Sequence, residues 1–178
     1  MKIYSTRHGQ TDYNKDEIVL GITDVPLNET GMRQAEMLAD EIKKINDINF
    51  IIASPMIRAQ TTAKIVAKIC GLEIITDDRL REWNYGEYEG KSRFTDSFAD
   101  DKKEFAVRMG RTGESPFQLC HRVYSLLDEI IKKYNDKNIL IVSHGGICRV
   151  IETYFNDMTT KQYSNWFMGN CQLIEYVI

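Results

Sequence analysis

The sequence predicts an α/β fold, a three-layer sandwich with a mostly parallel central sheet and helices on both faces. Three observations predict it. Short, continuously apolar runs alternate with longer amphipathic stretches, the pattern of strands covered on both faces by crossover helices. Two of the strand candidates end alike, each running into a histidine followed by glycine, His8-Gly9 and His144-Gly145. The chain has 178 residues, 43% apolar and 28% charged, which suits one domain with a real core.

Each element has its own signal. Ile3-Tyr4-Ser5 is a short apolar strand. Between Asn28 and Ile45, residues Met32, Ala35, Leu38, Ile42 and Ile45 recur at helical spacing and define one buried face. Phe50-Ile51-Ile52-Ala53 is a second strand. Ser54-Pro55 then predicts a helix start, with serine as N-cap and proline in the first helical position. That helix runs to about Cys70, where Gly71 ends it. Glu73 to Thr76 is a short strand candidate. Ser115-Pro116 repeats the cap-and-proline signal and opens a long helix with Phe117, Cys120, Val123, Leu127, Ile130 and Tyr134 on one face. The strand Ile139–Ser143 follows, then a helix from about Gly146 to Phe155, and a last strand within Cys171–Ile178. One domain spanning 1–178 is expected. The polar, charge-rich segment 91–114, dotted with Phe94, Phe98, Phe105 and Met109, is expected to be an inserted helical flap that selects substrate.

Bulk properties narrow the partners. A net charge of only -3 points to neither nucleic acid nor a membrane surface, so any anion site must be a local basic cluster. Cys70, Cys120, Cys148 and Cys171 form no C-x-x-C pair and sit in apolar contexts. They read as small buried hydrophobes in a reducing compartment. No charged leader precedes a long apolar run, and no stretch has the length to span a bilayer, so a cytoplasmic location is expected. The apolar last strand is a candidate sheet edge and leaves a homodimer open.

The chemistry gathers at strand ends, where open parallel sheets bind ligands. A neutral imidazole can attack phosphorus. Guanidinium groups match the oxygens of the transferred group, whose charge is spread over three of them. Arg7 adjoins His8, and Arg58 lies in the first turn of the helix after Ala53, itself a favourable place for an anion. The leaving alkoxide needs a proton. Glu82, flanked by Trp83 and Tyr85 that would partly desolvate it, is the candidate acid. Any one of these alone would be ordinary, Glu82 being one of 26 acidic residues. Two strand-end histidines with an arginine beside the first point together to phosphoryl chemistry without a metal.

Five blocks in order resemble the histidine phosphatase superfamily, which includes the cofactor-dependent phosphoglycerate mutases and many small phosphatases. They are Arg7-His8-Gly9-Gln10-Thr11 with Asn14; Gly21-Ile22-Thr23-Asp24 with Pro26-Leu27, Gly31 and Gln34-Ala35; Ser54 to Ala63 with Arg58; Arg81-Glu82 with Gly86 and Glu89-Gly90; and Val142 to Gly146 with Arg149. Gly113-Glu114-Ser115 opens the following helix as it often does in the phosphatase branch. The resemblance covers nearly the whole chain and implies a phosphoglycerate mutase-like fold.

It also implies roles. His8 is the nucleophile, and Arg7, Arg58 and His144 hold the phosphoryl group. Asn14 and a backbone N–H at Gly145 add hydrogen bonds. Glu82 protonates the leaving group and then assists water. Gln10, Thr11, Gly21 and Tyr85 are placed at or near the phosphate or substrate, with Gln10 standing where the family often has glutamate. No metal and no cofactor are implied. The expected activity is release of inorganic phosphate from a small phosphorylated metabolite. A cofactor-dependent phosphoglycerate mutase is the alternative within the family, and a non-catalytic phosphate-binding module the alternative outside it. The family's mutases resemble longer chains with a larger basic insertion than 91–114. The substrate stays open among α-ribazole phosphate, phosphoserine, and sugar or glycolytic phosphates. His121 lies outside every block and reads as structural. Trp83 and Tyr85 are core or pocket wall. Lys102-Lys103 and Arg108 to Arg111 are a solvated face or meet a second negative group on the substrate.

Overall fold

Aliphatic runs too short for helices form one five-stranded sheet in the computed structural model, which describes residues 1–178. The strands are β1 (Lys2–Arg7), β2 (Phe50–Ala53), β3 (Glu73–Thr76), β4 (Ile139–Ser143) and β5 (Leu173–Val177). Their order is β3-β2-β4-β1-β5. All neighbours pair in parallel except β5, which closes one edge antiparallel to β1. The helices are α1 (Asp12–Lys15), α2 (Glu29–Ile45), α3 (Ile57–Cys70), α4 (Asp96–Asp101), α5 (Pro116–Lys133), α6 (Gly145–Phe155) and α7 (Thr160–Asn165).

The strands are apolar throughout because successive side chains point to opposite, equally buried faces. Tyr4, Ile51, Ala53, Leu140 and Val142 pack with α2 and α3 on one face. Ile3, Ile52, Ile139 and Ile141 pack with α5 and α6 on the other. This is the expected three-layer α/β arrangement. No helix is long and apolar enough to cross a membrane.

Register positions the site. Arg7 pairs with Ser143 across β1 and β4, and the His8 N–H continues the ladder to the Ser143 carbonyl at 3.0 Å. On the other side of β4, the Ser54 N–H reaches the Val142 carbonyl at 3.0 Å. Three adjacent strands therefore end at one level, and His8, His144 and the α3 segment leave the sheet side by side.

Several local expectations change. Ser54 does not cap α3, which begins at Ile57 without a side-chain cap from its own N-cap residue Met56. Asp24 instead accepts the Ile57 N–H at 2.9 Å from a distant loop, because Ser54 is turned toward His144. Gly71 does end α3, in the left-handed conformation with φ 69°. Ser115 caps α5 through a capping box with Gln118. The buried face of α5 is Leu119, Val123, Leu126, Leu127 and Ile130, while Phe117 is exposed. Met32 on α2 is exposed too, since Gly31 makes the close approach there. Of the cysteines only Cys148 is fully buried, and all four are free thiols. Segment 91–114 holds one short helix, α4, followed by turns. Its Phe98 and Met109 are buried, and Phe105 packs on Phe117 and Tyr163, so its apolar side chains largely anchor it to the body.

The loop after β1 lies against the start of α2 with no room for side chains. A methyl on Gly9 would overlap the Gly31 carbonyl, and one on Gly31 would overlap the Gln10 carbonyl. Gly9→Ala therefore forces backbone movement beside His8. It is expected to cost about 2 kcal/mol or more of stability, read as a lowered denaturation midpoint. An unchanged midpoint would show that the loop adjusts freely.

Candidate active site

His8 begins where β1 ends. Its Nδ1 lies 2.7 Å from the Gly9 carbonyl oxygen. A carbonyl only accepts, so Nδ1 carries the proton and Nε2 keeps its lone pair. Asn170 fixes the backbone from the far end of the chain, donating to the His8 carbonyl at 2.8 Å. The ring is only 2% exposed. Burial, and after it the positive charges of Arg58 and Arg7, hold its pKa well below the usual 6.5. It is a neutral, oriented nucleophile at neutral pH.

Arg58 is fully buried. Its Nη1 donates to the Thr23 carbonyl at 2.8 Å, its Nη2 to the Gly21 carbonyl at 2.7 Å, and its Nε to His144 Nδ1 at 3.2 Å. Burial lowers its pKa to about 10, with Glu82 the largest opposing influence. His144 accepts from Arg58 at Nδ1, so its Nε2 carries the proton and donates to Ser54 Oγ at 2.7 Å. Burial, then Arg58, keeps this imidazole neutral as well. The two imidazoles meet edge to face, with ring centroids 5.1 Å apart. In this arrangement both His144 nitrogens are engaged by protein, and His144 holds Arg58.

Glu82 faces these groups from the loop after β3. Its Oε1 accepts the Trp83 N–H at 2.8 Å and its Oε2 the Gly146 N–H at 3.1 Å, in the first turn of α6. Desolvation raises its pKa above 4.5 and outweighs the two N–H groups and the arginines that pull it down. Arg7 donates from Nη1 to the Met168 carbonyl at 3.0 Å, yet its Nε is buried with no partner. A buried guanidinium N–H left unmatched is the mark of an anion position.

A cavity of about 70 Å³ opens here, lined by Arg7, Asn14, Glu82, Tyr85, Gly145 and Gly146 at its inner end. Asn14 accepts from the Thr11 N–H and from Asn170 with its Oδ1, both at 3.3 Å, which leaves its amide nitrogen as a donor. His8, Arg58 and His144 are not in its wall, and His8 is only 2% exposed. No three His, Cys, Asp or Glu side chains converge as a metal-ligand set.

The remaining sequence candidates divide. Gly145 and Tyr85 line the cavity. Gly21 instead serves Arg58 through its carbonyl, and Glu89 accepts its N–H at 3.0 Å. Thr11 is a fully buried cap for α1. Gln10 turns away, its Oε1 accepting from Asn28 at 3.1 Å. Trp83 is core, its indole N–H donating to the Glu114 carbonyl at 2.8 Å. His121 is exposed on α5. The sequence reading gave no role to Ser54 beyond capping. It also passed over Asn170 and Thr62, whose hydroxyl accepts the Gly9 N–H at 3.1 Å. Their spacing to His8 carries no local signal.

The buried cations predict stabilisation by anions. Vanadate or phosphate in EDTA is expected to raise the melting temperature, by about 2.7 kcal/mol of stability at a hundred times Kd. Arg7→Met should remove most of that rise. A wild-type melting temperature indifferent to both anions would refute an anion site here.

Comparison with known proteins agrees with this geometry. The family described as histidine phosphatase superfamily (branch 1) matches residues 3–178. A protein named probable phosphoglycerate mutase GpmB from Yersinia pestis is 36% identical over 153 residues, covering 82% of this chain and 70% of the relative. A mycobacterial glucosyl-3-phosphoglycerate phosphatase solved with VO3 superposes with a TM-score of 0.86 at 26% identity, over 98% of this chain and 90% of that one. A mutant phosphoserine phosphatase from Entamoeba histolytica, in complex with phosphoserine, gives a TM-score of 0.85 at 25% identity, over 99% and 90%. With the signature histidines, arginines and glutamate gathered at the carboxyl ends of the strands, the chain belongs to the histidine phosphatase superfamily.

Proposed function

We propose that this protein is a metal-independent phosphomonoester phosphatase working through a phosphohistidine at His8. The observation that carries the reading is the hydrogen bond from His8 Nδ1 to the Gly9 carbonyl, which leaves Nε2 free to attack. In the first step the Nε2 lone pair forms the N–P bond while the P–O bond to the alcohol breaks, and Glu82 gives its proton to the departing oxygen. Arg7 and Arg58 stabilise the charge on the transferring oxygens, with the Asn14 amide as a further donor. In the second step Glu82, now a carboxylate, takes a proton from water as the water oxygen attacks phosphorus. The N–P bond breaks, and phosphate leaves.

Ser54 gives His144 a route to the phosphoryl group. A hydroxyl both donates and accepts. When it donates to Nε2, the His144 proton moves to Nδ1 and Arg58 Nε loses its acceptor, so a phosphoryl oxygen would have to accept from both N–H groups.

The mutase reading has one specific support, the name of the relative at 36% identity. Against it, the match leaves 30% of that relative without a counterpart in this chain. Segment 91–114 is also nearly balanced, with five acidic and six basic residues, rather than strongly basic. The binding-module reading is opposed by the joint presence of His8 and Glu82.

Phosphate release is expected in EDTA and without 2,3-bisphosphoglycerate. Release only as part of primer-dependent exchange between phosphoglycerates would move the assignment to mutase. His8→Ala should abolish release while leaving the circular dichroism spectrum intact. Wild-type turnover by that variant would overturn the mechanism.

Glu82→Gln should lower turnover of alkyl phosphates by roughly 100-fold or more. It should keep the initial burst with p-nitrophenyl phosphate, whose leaving group needs no proton. Loss of the burst as well would place Glu82 elsewhere in the chemistry.

The pH profile follows from the two shifts. His8 must be neutral, and its lowered pKa puts the acid limb of kcat/KM below the ordinary histidine value of 6.5. Glu82 must be protonated for the first step, and its raised pKa puts the alkaline limb above 4.5. Glu82→Gln should erase the alkaline limb for alkyl substrates, and a limb that stayed in place would belong to another group.

A further inference from the structure

The cavity has a second end that the chemistry above does not use. Its wall continues past Tyr85, against which Phe98 packs, with Arg93, Arg149 and Trp166. Arg149 lies one turn along α6 from Gly145, so it shares a helix face with the phosphate end. Its Nε and Nη2 both donate to the Trp166 carbonyl, at 3.3 and 3.0 Å, and its guanidinium lies over the Tyr163 ring. Both Nη1 N–H groups and the second N–H of Nη2 are left over.

Arg93 is pinned by its backbone N–H to the Glu17 carbonyl at 3.1 Å. Its Nη1 donates to the Glu17 carboxylate at 3.0 Å. Nε and Nη2 remain.

Lys102, from the end of α4, joins these two. Its Nζ sits 4.6 Å from the centroid of Phe98, a wall residue. Burial, followed by the charges of Arg149 and Arg93, pulls its pKa down to about 8. Lys102 is thus placed by its contact with Phe98, which itself lines the cavity.

The nearby acids do not balance this charge. Glu17 is committed to Arg93. Asp101 accepts from the Tyr88 hydroxyl at 2.8 Å, and Asp100 pairs with Lys103 at 2.8 Å. Two arginines with spare donors in the cavity wall, and Lys102 against the wall residue Phe98, face one committed acid in the same cavity that serves the phosphoryl group.

We propose that Arg93, Lys102 and Arg149 form a second anion subsite that selects phosphomonoesters whose leaving alcohol carries a carboxylate. Arg93 and Arg149 each keep unused N–H groups and Lys102 keeps its ammonium, which supplies donors for both oxygens of one carboxylate. The cavity, about 70 Å³ against roughly 300–1,000 Å³ for drug-sized ligands, suits a leaving group of a few heavy atoms. A large neutral aromatic alcohol would leave the cations unmatched and exceed the space. The proposal deepens the phosphatase reading and rests on it for the meaning of leaving group.

The test uses pairs that differ only in the carboxylate end: phosphoserine with phosphoethanolamine, and 3-phosphoglycerate with glycerol 3-phosphate. In wild-type enzyme kcat/KM should favour the carboxylate member of each pair by about tenfold or more. The double variant Arg93→Met, Lys102→Met alters two side chains that are not in the core. It should shrink that ratio to within about twofold. Equal use of both members by wild type, preference for α-ribazole phosphate, or a ratio untouched in the double variant would each overturn the subsite. Calorimetric Kd values for the same pairs on His8→Ala protein separate the two readings. Unequal binding without phosphate release by wild type would sink the phosphatase assignment and keep the subsite. Equal binding with release intact would do the reverse.

Discussion

The structure depends on keeping two guanidinium groups buried against two neutral imidazoles. Isolated charges in a protein interior are costly by several kcal/mol each, and the lowered pKa values of Arg7 and Arg58 express that cost. Much of the loop structure offsets it. The 21–24 loop folds so that the Gly21 and Thr23 carbonyls meet Arg58, and Asp24 then reaches the start of α3. Glu89 holds that loop, accepting from the Gly21 and Ile22 N–H groups and the Thr23 hydroxyl, each at 3.0 Å. The same carboxylate accepts from the Tyr85 N–H at 3.2 Å, which ties the cradle of Arg58 to the loop bearing Glu82. Three sequence blocks far apart in the chain are one physical structure.

The surroundings then sort the titratable groups by role. Burial acts on all of them, but with opposite consequences for acids and bases. It keeps His8 and His144 neutral, so that one is a nucleophile and the other can support a guanidinium. It pushes Glu82 upward, so that a carboxylic acid is available to protonate an alkoxide. Two groups whose environments drive their protonation apart provide an acid and a base in one cavity. The direction of each hydrogen bond matters as much as burial. A carbonyl beside His8 allows one tautomer, whereas the Ser54 hydroxyl beside His144 allows two.

The layered fold was legible because period and burial leave a direct trace in sequence. Ile51-Ile52 and Leu140-Ile141-Val142 are apolar on both faces because both faces are covered. The catalytic candidates were legible because strand ends concentrate them. What escaped was set by contacts between distant segments. Ser54 looked like a cap because local sequence offers it Met56, and indeed it accepts the Met56 N–H at 3.3 Å; the stronger partner, His144, is 90 residues away. Gln10 was placed at the phosphate by its neighbours, yet Asn28 draws its side chain to α2. Phe117 fits the helical spacing but stays exposed in the first turn of α5, with Phe105 of segment 91–114 against one side of its ring. Arg93 carries no motif, and pairing between segments 17–19 and 90–93 brings it to the cavity.

The two ends of the cavity are built from different material, and this bears on how such a site changes. The phosphoryl end rests on strand termini and helix starts whose positions follow from sheet register. His8, His144 and Arg58 cannot move independently without breaking the β1–β4–β2 ladder. The outer end rests on α4, α7 and the turns around them, held by scattered side-chain contacts such as Phe98 on Tyr85 and Tyr88. Substitutions there disturb few buried contacts, so leaving-group preference can shift while the phosphoryl machinery stays fixed. Arg149 is the exception. It sits on α6, the helix whose first turn holds Glu82 through Gly146, and it also holds the Trp166 carbonyl. A change at Arg149 therefore reaches both ends, and it is the position at which selectivity and chemistry are physically joined.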